Sequence, residues 1–251
     1  MAKIIVFDSG LGSLSVIKSI RKRINAEVIY FADQASYPYG TKSVSQLDKI
    51  IKNTILKLQK KFDPDIIVVG SNTPSLLLDI EKKNKVIGVF PPLKEACAKT
   101  KTGHIGILAT KSVVKSKVLD DYIRKNVSAK IQVTKINATP LVDIVESGKF
   151  IYQKQKLKKI IKKVIRLHIQ NKIDVITLSS THLPFLLPIL KELFPNVIFL
   201  DPADSVARHI LKILNNKQSQ KSKFKIYASG NVESLHKKLE KIGIKNKVNP
   251  L

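Results

Sequence analysis

Two short stretches carry residue types that could do chemistry, and they are built alike. The first is Val68-Val69-Gly70-Ser71-Asn72-Thr73-Pro74; the second is Thr177-Leu178-Ser179-Ser180-Thr181-His182-Leu183-Pro184. Each follows an apolar run, Ile66 to Val69 or Val175 to Leu178. Each then places a serine and two small or polar hydrogen-bonding residues where a buried strand meets its loop, and a proline follows. In open parallel sheets the carboxyl ends of strands are where ligands bind. Ser180 and His182, completed by Asp8 or Asp143, also have the residue types of a nucleophilic set. No Gly-x-Ser-x-Gly elbow accompanies them, which counts against a serine hydrolase.

Elements that could position these residues are read from the apolar pattern. Lys3 to Asp8 reads as a buried strand ending in an acid, and Ser9-Gly10-Leu11-Gly12-Ser13 as a small-residue turn into a helix beginning near Ser13 or Leu14. Strand, glycine-rich turn and helix make an anion-binding arrangement, although the third glycine of a dinucleotide fingerprint is missing. Val28 to Phe31 is a second strand running into Ala32-Asp33, followed by a rigid loop, Ser36-Tyr37-Pro38-Tyr39-Gly40-Thr41-Lys42. Leu47, Ile50, Ile51, Ile55 and Leu58 recur at helical spacing. Asp65 to Val69 delivers Ser71, and Val86 to Phe90 ends at Pro91-Pro92.

From about residue 95 the pattern restarts. His104 to Ala109 is a strand with a polar tip at Thr110, Val113 to Lys125 one helix, Ile131 to Ile136 a strand that Ala138-Thr139-Pro140 breaks, and Leu157 to His168 an amphipathic helix with a lysine-rich outer face. Asp174 to Leu178 delivers Ser180, and Val197 to Leu200 runs into Asp201-Pro202. Asp8 to Ser71 spans 63 residues and Thr110 to Ser180 spans 70, so each half runs strand, helix, strand, helix, strand, polar tip. Alternating strands and helices predict α/β architecture with mainly parallel sheets. Two similar halves predict a pseudo-twofold relation with the cleft between the tips. Beyond them lie a helix over 205–215, a polar loop over 216–223, a strand from Phe224 to Tyr227 and a short helix to Lys241.

Composition bounds the function. The chain has 251 residues, 43% of them hydrophobic, which suffices for packed cores. A single cysteine, Cys97, excludes an internal disulfide and a cysteine metal cluster, and is expected to be a buried small apolar residue. No apolar run approaches a membrane span, and no signal peptide is legible, so a cytoplasmic protein is expected. Forty-five Lys and Arg against nineteen Asp and Glu give a net charge of +26. Such a field attracts polyanions. The lysines are dispersed over predicted helix faces, and no zinc-finger or RNP pattern is present, so a nucleic-acid partner rests on net charge alone.

The motifs, taken in order, resemble glutamate racemase of the aspartate/glutamate racemase superfamily. Phe7-Asp8-Ser9-Gly10-Leu11-Gly12 resembles its opening block, and Phe31-Ala32-Asp33 with Pro38-Tyr39-Gly40-Thr41-Lys42 its second. Ser71-Asn72-Thr73 sits where the family has Cys-Asn-Thr, and Ser180-Thr181-His182-Leu183-Pro184 where it has Cys-Thr-His-Tyr-Pro. Pro140-Leu141-Val142-Asp143, Asp201-Pro202 and Tyr227-Ala228-Ser229-Gly230 are also similar.

The resemblance implies two α/β domains, 1–94 with 208–251 and 95–207, and no cofactor or metal. It implies two-base interconversion of L- and D-glutamate for peptidoglycan, one cysteine on each side of the substrate α-carbon. Here Ser71 and Ser180 hold those positions. By resemblance Asp8 and Asp33 flank Ser71, while His182 and Asp143 flank Ser180. Ser9, Pro38, Tyr39, Gly40, Asn72, Thr73, Thr110 and Thr181 would bind the substrate, and a homodimer is compatible with the sequence. A free cysteine has pKa ~8.5 and is readily lowered; an aliphatic hydroxyl ionises far less readily. Strongly impaired racemisation is therefore expected. The alternatives are a catalytically silent dicarboxylate-binding homologue, a chain altered from cysteine to serine at both positions, a serine hydrolase, or a nucleic-acid-associated protein.

Overall fold

The computed structural model describes residues 1–80, 85–169, 172–214 and 221–251. They form two compact units, one of residues 1–89 with 203–251 and one of residues 90–202.

The first stretch of unit 1 runs β1 (Lys3–Asp8), α1 (Leu14–Arg23), β2 (Glu27–Ala32), α2 (Val44–Phe62), β3 (Ile66–Val69), α3 (Asn72–Leu77) and β4 (Val86–Gly88). Unit 2 follows with α4 (Leu93–Lys99), β5 (His104–Ala109), α5 (Lys111–Val114), α6 (Lys117–Asn126), β6 (Gln132–Asn137), α7 (Thr139–Glu146), α8 (Lys154–Ile169), β7 (Val175–Leu178), α9 (Leu187–Leu193) and β8 (Ile198–Leu200). The tail returns to unit 1 with α10 (Ala203–Leu214), β9 (Lys223–Ala228), α11 (Val232–Lys241) and β10 (Val248–Pro250).

Every strand pairing is parallel. Parallel sheets need helices on their faces, so their strands read as near-continuous apolar runs. β3 (Ile-Ile-Val-Val) and β7 (Val-Ile-Thr-Leu) are accordingly buried at every position. The strand order is β10-β9-β2-β1-β3-β4 in unit 1 and β6-β5-β7-β8 in unit 2. Four strands therefore repeat in the same order, and unit 1 carries β9 and β10 as an addition on the β2 side.

The repeat extends to single hydrogen bonds. Just beyond β3, Gly70 N donates to Phe7 O, and just beyond β7, Ser179 N donates to Leu108 O. At the amino ends of the same strands Asp65 N donates to Lys3 O, as Asp174 N does to His104 O.

Each unit has its own core. In unit 1, Ile5, Phe7, Ile29, Phe31 and Ile67 pack against Leu47, Ile51 and Leu58 of α2. A Ser43/Gln46 capping box starts α2, and Asp63 in the left-handed region ends it. In unit 2, Leu108, Ile136, Ile176 and Leu178 pack against Leu157, Ile161 and Ile165 of α8.

Several local expectations change. The single helix predicted over Val113 to Lys125 is two, because Ser116 accepts from Leu119 N and starts α6 afresh. The strand does end at Ala138-Thr139-Pro140 as predicted, and the same residues also start α7, since proline in a first helical turn forfeits no intrahelical bond. β10 escapes the sequence pattern altogether. The polar loop predicted over 216–223 falls for residues 216–220 outside the described residues. Cys97 is half-buried on α4, with Sγ 4.0 Å from Asn126 O, rather than fully buried. No described helix is long and apolar enough to cross a membrane.

Candidate active site

In unit 1 the candidate residues gather at the carboxyl ends of β1, β2 and β3. Register places Asp8, at the end of β1, beside Ala32, at the end of β2. Asp33 N then donates to Asp8 O at 2.7 Å, which fixes the two acids on neighbouring strand tips. Both are buried, Asp8 at 1% and Asp33 at 5% exposure. Asp8 Oδ1 accepts from Ser9 N at 2.7 Å. Asp33 accepts at both oxygens, from Tyr39 OH at 3.0 Å and from Ser229 Oγ at 2.9 Å. Burial, and then the charges of Asp33 and Asp8, push the Tyr39 phenol well above its ordinary value. It stays protonated and donates to Asp33. The backbone over Tyr39–Thr41 makes a short 3-10 turn after Pro38.

Ser71 follows Gly70 at the tip of β3. A Cβ on Gly70 would lie 2.4 Å from Ser13 Cβ, so only glycine lets this tip pass the start of α1. Ser71 has extended backbone and precedes α3, yet its side chain makes no capping bond. Ser75 does the local fastening: its buried hydroxyl donates to Ser71 O at 2.6 Å and accepts from Val89 N at 2.9 Å. Asn72 is 2% exposed. Its Nδ2 donates to Val89 O at 2.9 Å, and its buried Oδ1 has no partner among the described residues. Thr73 is buried beside it.

The turn between β1 and α1 is less open than an anion cradle. Leu14 N and Ser15 N already bind Leu11 O and Gly12 O, so two of the donors expected there are used internally.

In unit 2, Ser180, Thr181 and His182 lie just beyond β7 and are all buried. Leu183 N donates to Ser180 O and closes the turn. Thr177 and Ser179 share a buried hydroxyl pair at 2.9 Å that fastens the strand end below them. His182 Nε2 lies 3.0 Å from Glu146 Oε2, and both residues are buried at 8% exposure. Thr110 sits at the tip of β5, its hydroxyl 3.1 Å from that of Ser112.

Glu146, and not Asp143, is thus the carboxylate hydrogen-bonded to the histidine. Asp143 is an exposed residue on the same helix, where partial burial raises its carboxyl and the nearby His182 charge lowers it, with a net rise. On α7, Leu141, Ile144, Val145 and Glu146 are buried, while Asp143 is exposed. Ser75 and Ser229 were also missed as structural partners, since a lone serine carries no periodicity.

Among the described residues no cluster of His, Cys, Asp and Glu could hold a metal ion.

Comparison with known proteins follows the same lines. The Asp/Glu/Hydantoin racemase family matches residues 4–210. A glutamate racemase of Aliivibrio fischeri is 34% identical over 221 residues, covering 86% of this chain and 82% of its own. Glutamate racemase from Escherichia coli, crystallised with L-glutamate and the activator UDP-MurNAc-ala, shares the fold with a TM-score of 0.84 at 25% identity, over 100% of this chain and 98% of that one. A glutamate racemase isoform from Bacillus anthracis gives a TM-score of 0.85 at 25% identity, over 100% and 97% of the two chains.

Proposed function

The chain belongs to the Asp/Glu/Hydantoin racemase family, and from that premise we propose that its site is built for two-base interconversion of L- and D-glutamate, with both bases muted. One observation carries this reading. Ser71 and Ser180 occupy the same place in two matching sheets, just beyond the third strand of each. Racemisation without a cofactor needs two groups of equivalent role, one taking the α-proton from one face and the other returning a proton to the opposite face. Two strand tips of the same build offer one such group each.

Each serine has its own supports: Asp8 and Asp33 on the strand tips beside Ser71, and His182 with Glu146 in the turn of Ser180. Asn72 Oδ1, a buried acceptor in need of a donor, suits the substrate ammonium. The Gly40 backbone, Ser9, Thr73, Thr110 and Thr181 supply donors for the two carboxylates. Asp143, exposed on the outer side of α7, has at most a long-range effect on His182.

The family chemistry runs through thiols. A neutral hydroxyl is a weak base toward a carbon acid, because base efficiency follows a matched pKa. The loss is several powers of ten, on the order of the 10²–10⁴-fold that a positioned acid or base contributes. The serines keep hydrogen-bonding capacity while losing basicity, and that favours a second reading: a cytoplasmic protein that binds glutamate or a related dicarboxylate without turning it over.

Deuterium exchange at the α-carbon, followed by NMR in heavy water with D- and L-glutamate, separates the two. The Ser71→Cys/Ser180→Cys chain is expected to exchange rapidly and the parent barely above buffer. Exchange by the parent at the rate of the double variant would refute the muted-base reading. Exchange by neither would leave only the binding reading.

A further inference from the structure

We propose that Ser229, on the tail strand, is a positioning residue for the unit 1 site: its hydroxyl sets the orientation of the Asp33 carboxylate. The proposal rests on the reading above, in which Asp33 serves that site.

The contact is fixed from several directions. β9 pairs with β2 in parallel register, and Ala228 lies opposite Ala32. One residue further, Ser229 N donates to Ala32 O at 3.1 Å, which anchors the backbone beside the strand tip. The Ser229 hydroxyl oxygen accepts from Ala35 N at 3.2 Å. With that lone pair engaged, its proton is directed elsewhere, and Asp33 Oδ1 is 2.9 Å away. The next residue tightens the fit. A Cβ on Gly230 would lie 2.7 Å from Gln34 Cβ, so glycine is what allows Ser229-Gly230 to press against residues 33–35.

Tyr39 holds the other carboxylate oxygen. Asp33 is thus gripped at both oxygens, one from the loop that follows β2 and one from a residue 196 positions away. Two fixed donors leave a carboxylate little rotational freedom. Loss of the Ser229 donor frees Oδ1 to turn about the Tyr39 bond, and any ligand or neighbour relying on the carboxylate's aim is affected. Sequence alone marks Ser229 only as part of a similar block, without a role.

The test uses the full chain with Ser229→Ala and Ser229→Thr. Crystal structures report the Asp33 side-chain torsions, and calorimetry reports D- and L-glutamate affinity. Ser229→Ala is expected to turn the carboxylate out of its present rotamer and weaken glutamate about tenfold, with a melting temperature a few degrees below the parent's, the scale of one lost hydrogen bond to a charged group. Ser229→Thr keeps the hydroxyl and is expected to restore both. An unmoved Asp33 in Ser229→Ala would overturn the proposal, as would alanine and threonine variants of equal affinity in a parent that binds glutamate. A parent that binds no glutamate would count against the functional reading instead, and the Asp33 torsions alone would then decide the role of Ser229.

Discussion

The two units have the same four-strand order and the same strand-end hydrogen bonds, but their tips are chemically unlike. Unit 1 carries two buried carboxylates and a buried phenol at its strand ends: Asp8, Asp33 and Tyr39. Unit 2 follows its own with an imidazole bound to a carboxylate, His182 and Glu146. The repeated scaffold fixes where the two serines stand. The side chains on each tip decide how easily a group there gives up or takes a proton. Resemblance between halves of a sheet protein therefore predicts position and not reactivity.

The largest expected effect tests this inequality directly. Thiolates form most readily beside a cationic or hydrogen-bonding imidazole and least readily among carboxylates. A Ser180→Cys chain is expected to exchange the glutamate α-proton faster at neutral pH than a Ser71→Cys chain, by roughly tenfold for each unit of thiol pKa separating them. Alkylation by iodoacetamide across pH gives the two thiol values independently. Coincident profiles would erase the distinction between the tips.

A smaller effect concerns the imidazole pair itself. Glu146→Ala removes the carboxylate of a buried histidine and should cost about 1–3 kcal/mol in urea unfolding, whereas Asp143→Ala on the exposed side of the same helix should fall within about 0.5 kcal/mol of the parent. Equal costs would mean that the unit 2 tip is not organised around Glu146.

The smallest effect sharpens the comparison at the amino ends of the strands. Asp65 and Asp174 are equivalent residues before β3 and β7. Asp65 accepts one bond, from Lys3 N, while Asp174 accepts from Thr100 Oγ1, Lys101 N and Thr102 N. Burial would raise the Asp174 carboxyl, but these donors outweigh it and hold the value below the ordinary one. A lowered folded-state value stabilises above the unfolded value of ~3.9 and is lost as pH falls through the folded one. Asp174→Asn should therefore cost about 1 kcal/mol at pH 7, more than Asp65→Asn, and converge with the parent in strongly acid solution. Thermal melts across pH would show it.

Much of the scaffold is legible in the sequence, because buried parallel strands are continuous apolar runs and each meets a polar tip. Ile66–Val69 and Val175–Leu178 are plain on that ground, as is the α2 stripe of Leu47, Ile51 and Leu58. What escapes is whatever depends on a helix boundary or a distant partner. Ser116 looks like one more polar residue in a helical stretch until its cap is seen. Thr139-Pro140 ends one element and starts the next, and Glu146 meets His182 across 36 positions, a separation that no local pattern spans. Ser229 reaches Asp33 only through the return of the tail, which no local pattern encodes.

That return also sets an order of events. All four strands of unit 2 lie within residues 104–200, so its sheet can be completed as soon as that stretch has left the ribosome. Unit 1 is begun first and finished last: β2 waits for residues 223–228 before its outer edge is paired. During that interval Glu27–Ala32, an apolar strand with open backbone groups, is the surface most exposed to mispairing with another nascent chain. A chain cut short after residue 202 would keep that edge open for good, and its handling in the cell would be governed by chaperone capture and proteolysis.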